Sequence, residues 1–225
     1  MVEEGVIKFQ AEHRHGPLKG ERSEALVHEL SGWRELLVRT GLMGQSLVRY
    51  GGAGFGNLSA RMPPFPGERG ARAFLVTGTQ TAGLAQVGPE HFCLVRRYDV
   101  GSNRVESEGP VLPSSEAMTH GAIYDLGPQI RYVFHAHTPV IWKLAFALRL
   151  PTTSERVAYG TPEMASEVQR LYRDSVLPES RILAMGGHED GVITFGRTAE
   201  EAGEVMLRFL ARSYEEAFRR RVTGR

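Results

Sequence analysis

The sequence predicts a single α/β domain built on a layered sheet covered by helices. Short strand-like runs separated by glycine and proline turns fill the first half of the chain. Strand and helix patterns alternate through the second half, and no segment repeats. At 225 residues and 41% hydrophobic, the chain is long enough to bury roughly 70–75% of the surface its unfolded form exposes. The formal charge of +1, from 27 basic and 26 acidic residues, gives no long-range attraction to nucleic acid or anionic lipid. The single cysteine, Cys93, lies in an apolar run and reads as a small buried hydrophobe. No secretory signal opens the sequence, and no apolar run approaches the roughly 20 residues of a membrane span. The expected protein is cytoplasmic, with neither a nucleic-acid nor a membrane partner.

Taken in order, residues 1–20 are polar and aperiodic and read as a flexible arm ahead of a domain spanning 21–225; His13 and His15 lack a flanking strand. From Glu21 to about Arg49, apolar positions recur at helical spacing with a break near Gly41 and Gly44, predicting two helices or one broken helix. The glycine-dense stretch 51–56 leads to strand-like 58–62, a proline turn, strands at 73–77 and 91–98, and a hairpin at Gly101-Ser102-Asn103. Pro113 and Ser114 open a helix running to about Leu126, which Gly127-Pro128 ends. A strand at 131–137, helices at 139–148 and 161–173, and strands at 181–185 and 192–195 follow. Thr198, with Glu201 three residues later, forms a capping box for a last helix.

Metal-ligand residue types stand out in this framework. On a strand at 131–137, Val133, His135 and His137 share one face, placing the two histidine α-carbons about 6.6–7 Å apart. Imidazoles at that spacing can reach one ion through zinc–nitrogen bonds of about 2.0–2.1 Å. His188 follows an apolar strand among glycines, which can turn a side chain back toward a neighbouring strand end. Closing the excursion from His137 costs about 3.5 kcal/mol, against the roughly 10–16 kcal/mol a structural zinc site can supply. Glu116, in the first turn of its helix, either favours the helix dipole or reaches the open position of the metal. Ser114 and Ser115 beside it, like Gly56-Asn57 and Thr77-Gly78, suit either an anion cradle or ordinary turns. Competing patterns fail on the letters: no His-Glu-x-x-His is present, no Walker lysine follows the glycines, and Ile141 and Trp142 stand where a cupin places its glutamate.

The ordered set Gly56-Asn57-Leu58-Ser59-Ala60-Arg61, Thr77-Gly78-Thr79, Pro113-Ser114-Ser115-Glu116, His135-Ala136-His137 and Gly160-Thr161, completed by His188, resembles the class II aldolase and adducin family over about residues 33–212. The resemblance implies a three-layer αβα sandwich with a central, largely antiparallel sheet, assembled as a homotetramer. It implies one Zn2+ or other divalent transition metal per subunit on His135, His137 and His188, with Glu116 as acid/base. Asn57, Thr77, Gly78, Ser114 and Ser115 would hold a substrate phosphate, and Tyr159, near a motif position, either packs in the core or reaches a neighbouring site as a second catalytic group. The implied activity is that of an aldehyde-lyase, cleaving a ketose phosphate by retro-aldol chemistry through an enediolate. Epimerase or dehydratase chemistry on a pentulose phosphate, and a non-catalytic adducin-like scaffold, are the alternatives. One departure from the family pattern is that Glu189 and Asp190 separate His188 from Gly191, where the glycine is expected at once.

Overall fold

A computed structural model describes residues 5–224; residues 1–4 of the expected arm and Arg225 lie outside them. In chain order the elements begin with β1 (Gln10–His15), α1 (Glu21–Arg39), β2 (Gly44–Gln45), β3 (Gly54–Phe55), β4 (Asn57–Arg61) and β5 (Phe74–Thr77). They continue with β6 (Phe92–Asp99), β7 (Arg104–Gly109), α2 (Ala117–Tyr124), β8 (Tyr132–His137) and α3 (Pro139–Lys143). α4 (Pro162–Asp174), α5 (Leu177–Ser180), β9 (Ile182–Ala184), β10 (Gly191–Gly196) and α6 (Ala199–Thr223) complete the chain. Eight strands form one sheet in the order β1-β7-β6-β5-β4-β8-β10-β9, antiparallel at every pairing except β1 with β7.

Alternation along the strands sorts side chains into two cores. Leu58, Leu75, Phe134, Ala136 and Val192 face one way, with Leu26 and Leu30 of α1 and Val205 and Met206 of α6. Phe74, Val76, Cys93, Val133 and Ile193 face the other, with Met118 of α2 and Val168 of α4. A sheet apolar on both faces must be covered twice, which is the three-layer αβα arrangement. Thr198 caps α6 by accepting the Glu201 amide at 3.2 Å, one half of the expected capping box, while the Glu201 carboxylate accepts the amide of Arg197 at 2.9 Å in place of that of Thr198. Burial pushes the Cys93 thiol up to about 12, in keeping with an inert core residue.

Three expectations are corrected. Gln10–His15 is not loose: it pairs in parallel with β7, and Arg14–Glu108 and Arg104–Glu12 ion pairs bridge the two strands. His13 and His15 therefore do lie on a strand, and both ring nitrogens of His13 bond to β7, at Ser107 and Gly109. The segment 21–49 holds one helix, which stops at Arg39 before Gly41 turns with φ +72° and β2 begins. The helix at 139–148 ends at Lys143, because Ala145 and Leu150 turn into the core and the chain between them loops outward, leaving Phe146 exposed.

Candidate metal centre

Three adjacent strands toward the β9 edge of the sheet set the site. β4, β8 and β10 are neighbours, and their register places Asn57 opposite His135, and His137 opposite Gly191. His135 and His137 emerge on the face covered by α2 and α4, as the period of the strand requires. Gly56 delivers β4 to this position: its φ is +82°, and a Cβ there would meet the Met43 side chain at 2.5 Å and the His135 carbonyl at 3.1 Å. His188 comes from the turn between β9 and β10, closed by hydrogen bonds from His188 N to Met185 O and from Gly191 N to His188 O. Gly191 lets the ring fold back, since a Cβ would lie 2.7 Å from His188 Cδ2.

These three imidazoles are fully buried and offer ligand nitrogens within 4.8 Å of one another. His135 Nε2 and His137 Nε2 are 3.0 Å apart, near the roughly 3.4 Å that separates two nitrogens on a tetrahedral zinc. Nδ1 of His135 faces the Val192 carbonyl at 3.3 Å, the kind of contact that fixes a ring and directs its other nitrogen to a metal. Desolvation holds His135 down to about 4 and keeps His137 and His188 well below the usual histidine range. At neutral pH all three rings are uncharged, the state a metal needs. Glu116 is the N-cap residue of α2 rather than part of its first turn, and its Oε1 lies 3.4 Å from His188 Nε2. The donor set and its spacing fit a divalent transition metal, with a carboxylate at hand for the remaining position. Among the described residues this is the only group of three or more potential ligands brought together in this way.

Beside it lies a small polar cavity lined by Gly56, Asn57, Gly78, Thr79, Gln80, Ser114 and Ser115, among others. Asn57 Oδ1 is buried there with no hydrogen-bond partner among the described residues. Thr77 does not line the cavity, because its hydroxyl accepts the Leu58 amide at 3.2 Å and fastens β5 to β4. The Gly78 amide is also committed, donating to the His91 carbonyl at 2.8 Å. Buried Arg34 of α1 holds the rim from behind by donating to the carbonyls of Thr81, Ala82 and Leu84. Tyr159 packs on the site, with its ring centroid 4.4 Å from that of His188, Lys8 Nζ 3.5 Å above it, and its hydroxyl donating to Val6 O at 3.3 Å. Two larger depressions, one beside Arg69, Arg97 and Asp125 and one beside Trp142 and Phe146, lie elsewhere on the surface.

Several participants carried no signal in the sequence. Tyr50 stands edge-on to His137 with centroids 4.8 Å apart and donates to Asp190 at 2.7 Å. His120, fully buried on α2, shares the Ser59 hydroxyl with Tyr124 at 2.6 Å each. Neither belongs to a motif; each is recognisable only once the register of β4 and β8 is known.

The family described as Class II Aldolase and Adducin N-terminal domain matches residues 45–214. The fold is similar to that of L-fuculose-1-phosphate aldolase from Thermus thermophilus, at 21% identity and a TM-score of 0.62, covering 88% of this chain and 96% of that one. YgbL of Escherichia coli, for which aldolase, epimerase and decarboxylase activities are all candidates, aligns at 17% identity and a TM-score of 0.63, covering 89% of this chain and 91% of that one. The N-terminal class II aldolase domain of a conserved protein from Thermoplasma acidophilum aligns at 15% identity and a TM-score of 0.59, covering 92% of this chain and 99% of that one. No curated protein matches the chain in sequence.

Proposed function

We propose that this chain, which belongs to the class II aldolase and adducin family, is a zinc-dependent lyase that cleaves a ketose phosphate by retro-aldol chemistry. The observation that carries the reading is the convergence of His135, His137 and His188, neutral and buried, beside the Glu116 carboxylate. A divalent cation held by these rings supplies Lewis-acid polarisation of the adjacent carbonyl and hydroxyl oxygens of a keto sugar.

The protein's own groups account for the rest. Asn57, Ser114 and Ser115 line the cavity and, in this reading, bind the phosphate; Thr77 and Gly78 frame it through their bonds to Leu58 and His91. As the carbon–carbon bond breaks, its electron pair passes to the carbon next to the keto group, and the hydroxyl of the departing carbon gives its proton to the Glu116 carboxylate, so that the fragment leaves as an aldehyde. Glu116, 1% exposed, delivers the proton to that carbon, a general-acid step shielded from bulk water. Tyr159 packs on the His188 ring and, in this reading, supports that ligand. The reading carries with it a cytoplasmic homotetramer; among the described residues no helix is long and apolar enough to cross a membrane.

The test is a panel of ketose phosphates incubated with metal-loaded protein, scored for release of dihydroxyacetone phosphate or glycolaldehyde phosphate. Fragment release from at least one ketose is the expected result. Consumption of a pentulose phosphate without fragments would move the assignment to an epimerase or dehydratase, the first alternative the sequence raises.

A further inference from the structure

Glu189 and Asp190 lengthen the turn that carries His188, yet His188 reaches the other two imidazoles. Asp190 adopts a left-handed backbone with φ +64°, and Tyr50 does the same with φ +50°. Neither is a glycine, so each conformation is held against its own steric cost by the surroundings. What holds them is each other: the Tyr50 hydroxyl donates to Asp190 Oδ2 at 2.7 Å. The Asp190 carbonyl accepts the amide of Thr138, the residue after His137, at 2.8 Å. Arg49 completes the assembly, donating to the Tyr50 oxygen at 2.6 Å and to the His137 carbonyl at 3.3 Å, with its guanidinium 3.8 Å from Asp190 Oδ2 and 4.5 Å from the Phe55 ring. The glycine-rich loop, the end of β8 and the His188 turn are thus locked together at one point.

We infer that Tyr50 and Asp190 form a brace that sets the positions of His137 and His188 for metal binding, an inference that rests on the metal centre proposed above. Both are positioning residues: Tyr50 packs against the His137 ring from outside, and Asp190 ties down the turn that bears His188. Groups that orient metal ligands in this way typically contribute about 10–100-fold to affinity.

The test is titration of metal-free protein with Co2+ and Zn2+ against a chelating competitor, reading the dissociation constant and the visible Co2+ spectrum. Tyr50→Phe, which keeps the ring and removes only the hydroxyl, and Asp190→Ala should each weaken binding by about 10–100-fold and alter the spectrum. The double variant should lose no more than the worse single one, because both changes delete the same bond. Asp190→Asn, which keeps an acceptor oxygen and tolerates the left-handed backbone, should restore most of the affinity. If Asp190→Ala does not fold, Tyr50→Phe decides alone. Wild-type affinity and spectrum in Tyr50→Phe would overturn the brace and leave the metal centre standing. Failure of wild-type protein to bind either ion more tightly than His135→Ala would remove the metal centre and the brace with it.

Discussion

His135, His137 and His188 sit at zero exposure where protonation would bury charge, so the fold keeps them neutral without a metal and ready for one. In the proposed mechanism Glu116 is the acid/base, a part the hydroxyls of the neighbouring Ser114 and Ser115 do not fill because they do not ionise near neutral pH. Glu116→Gln should therefore retain bound metal while turnover falls by about 10²–10⁴-fold; near-wild-type turnover in that variant would take Glu116 out of the mechanism. At this scale the ligand types were legible because His135-x-His137 on a strand has a fixed geometry. Tyr50 and Asp190 were not, because their meeting depends on a contact across 140 positions and on two backbone conformations that no local pattern announces. Thr77 shows the reverse: its motif suggests a phosphate contact, but its hydroxyl accepts the Leu58 amide and the residue does not line the cavity.

Elements follow the same division. β8 and α6 were readable because strand alternation and the Thr198–Glu201 capping box are local signals. β1 was missed because an edge strand with exposed Gln10, Ala11, Glu12, Arg14 and His15 has no apolar alternation; its pairing comes from the β7 backbone and cross-strand charges. The entry to β4 gives a prediction that belongs to this scale. Gly56→Ala must accommodate a left-handed backbone and a clash with Met43 and the His135 carbonyl. Together these should cost about 2–4 kcal/mol, read as a lower denaturant midpoint, with weaker metal binding as β8 is displaced. An unchanged midpoint would show that β4 and β8 do not meet as described.

Across the whole molecule, the order of the sheet does what no single motif can. It brings β4, β8 and β10 side by side, so that Asn57, His135 and His137 on one strand and His188 in the turn before β10 share one location. Ordered motifs scattered from Gly56 to His188 made the family resemblance legible, and the match over residues 45–214 agrees with it. The parallel pairing of β1 and the brace at Asp190 had no local signal, because each depends on how distant segments close around that plan. The central claim is that three imidazoles hold one divalent cation, and elemental analysis tests it most directly: wild-type protein and His135→Ala are each loaded with Zn2+, freed of loose ion and measured for metal per chain. The account predicts close to one equivalent in the wild type and almost none in the variant; equal metal content in the two proteins would contradict it.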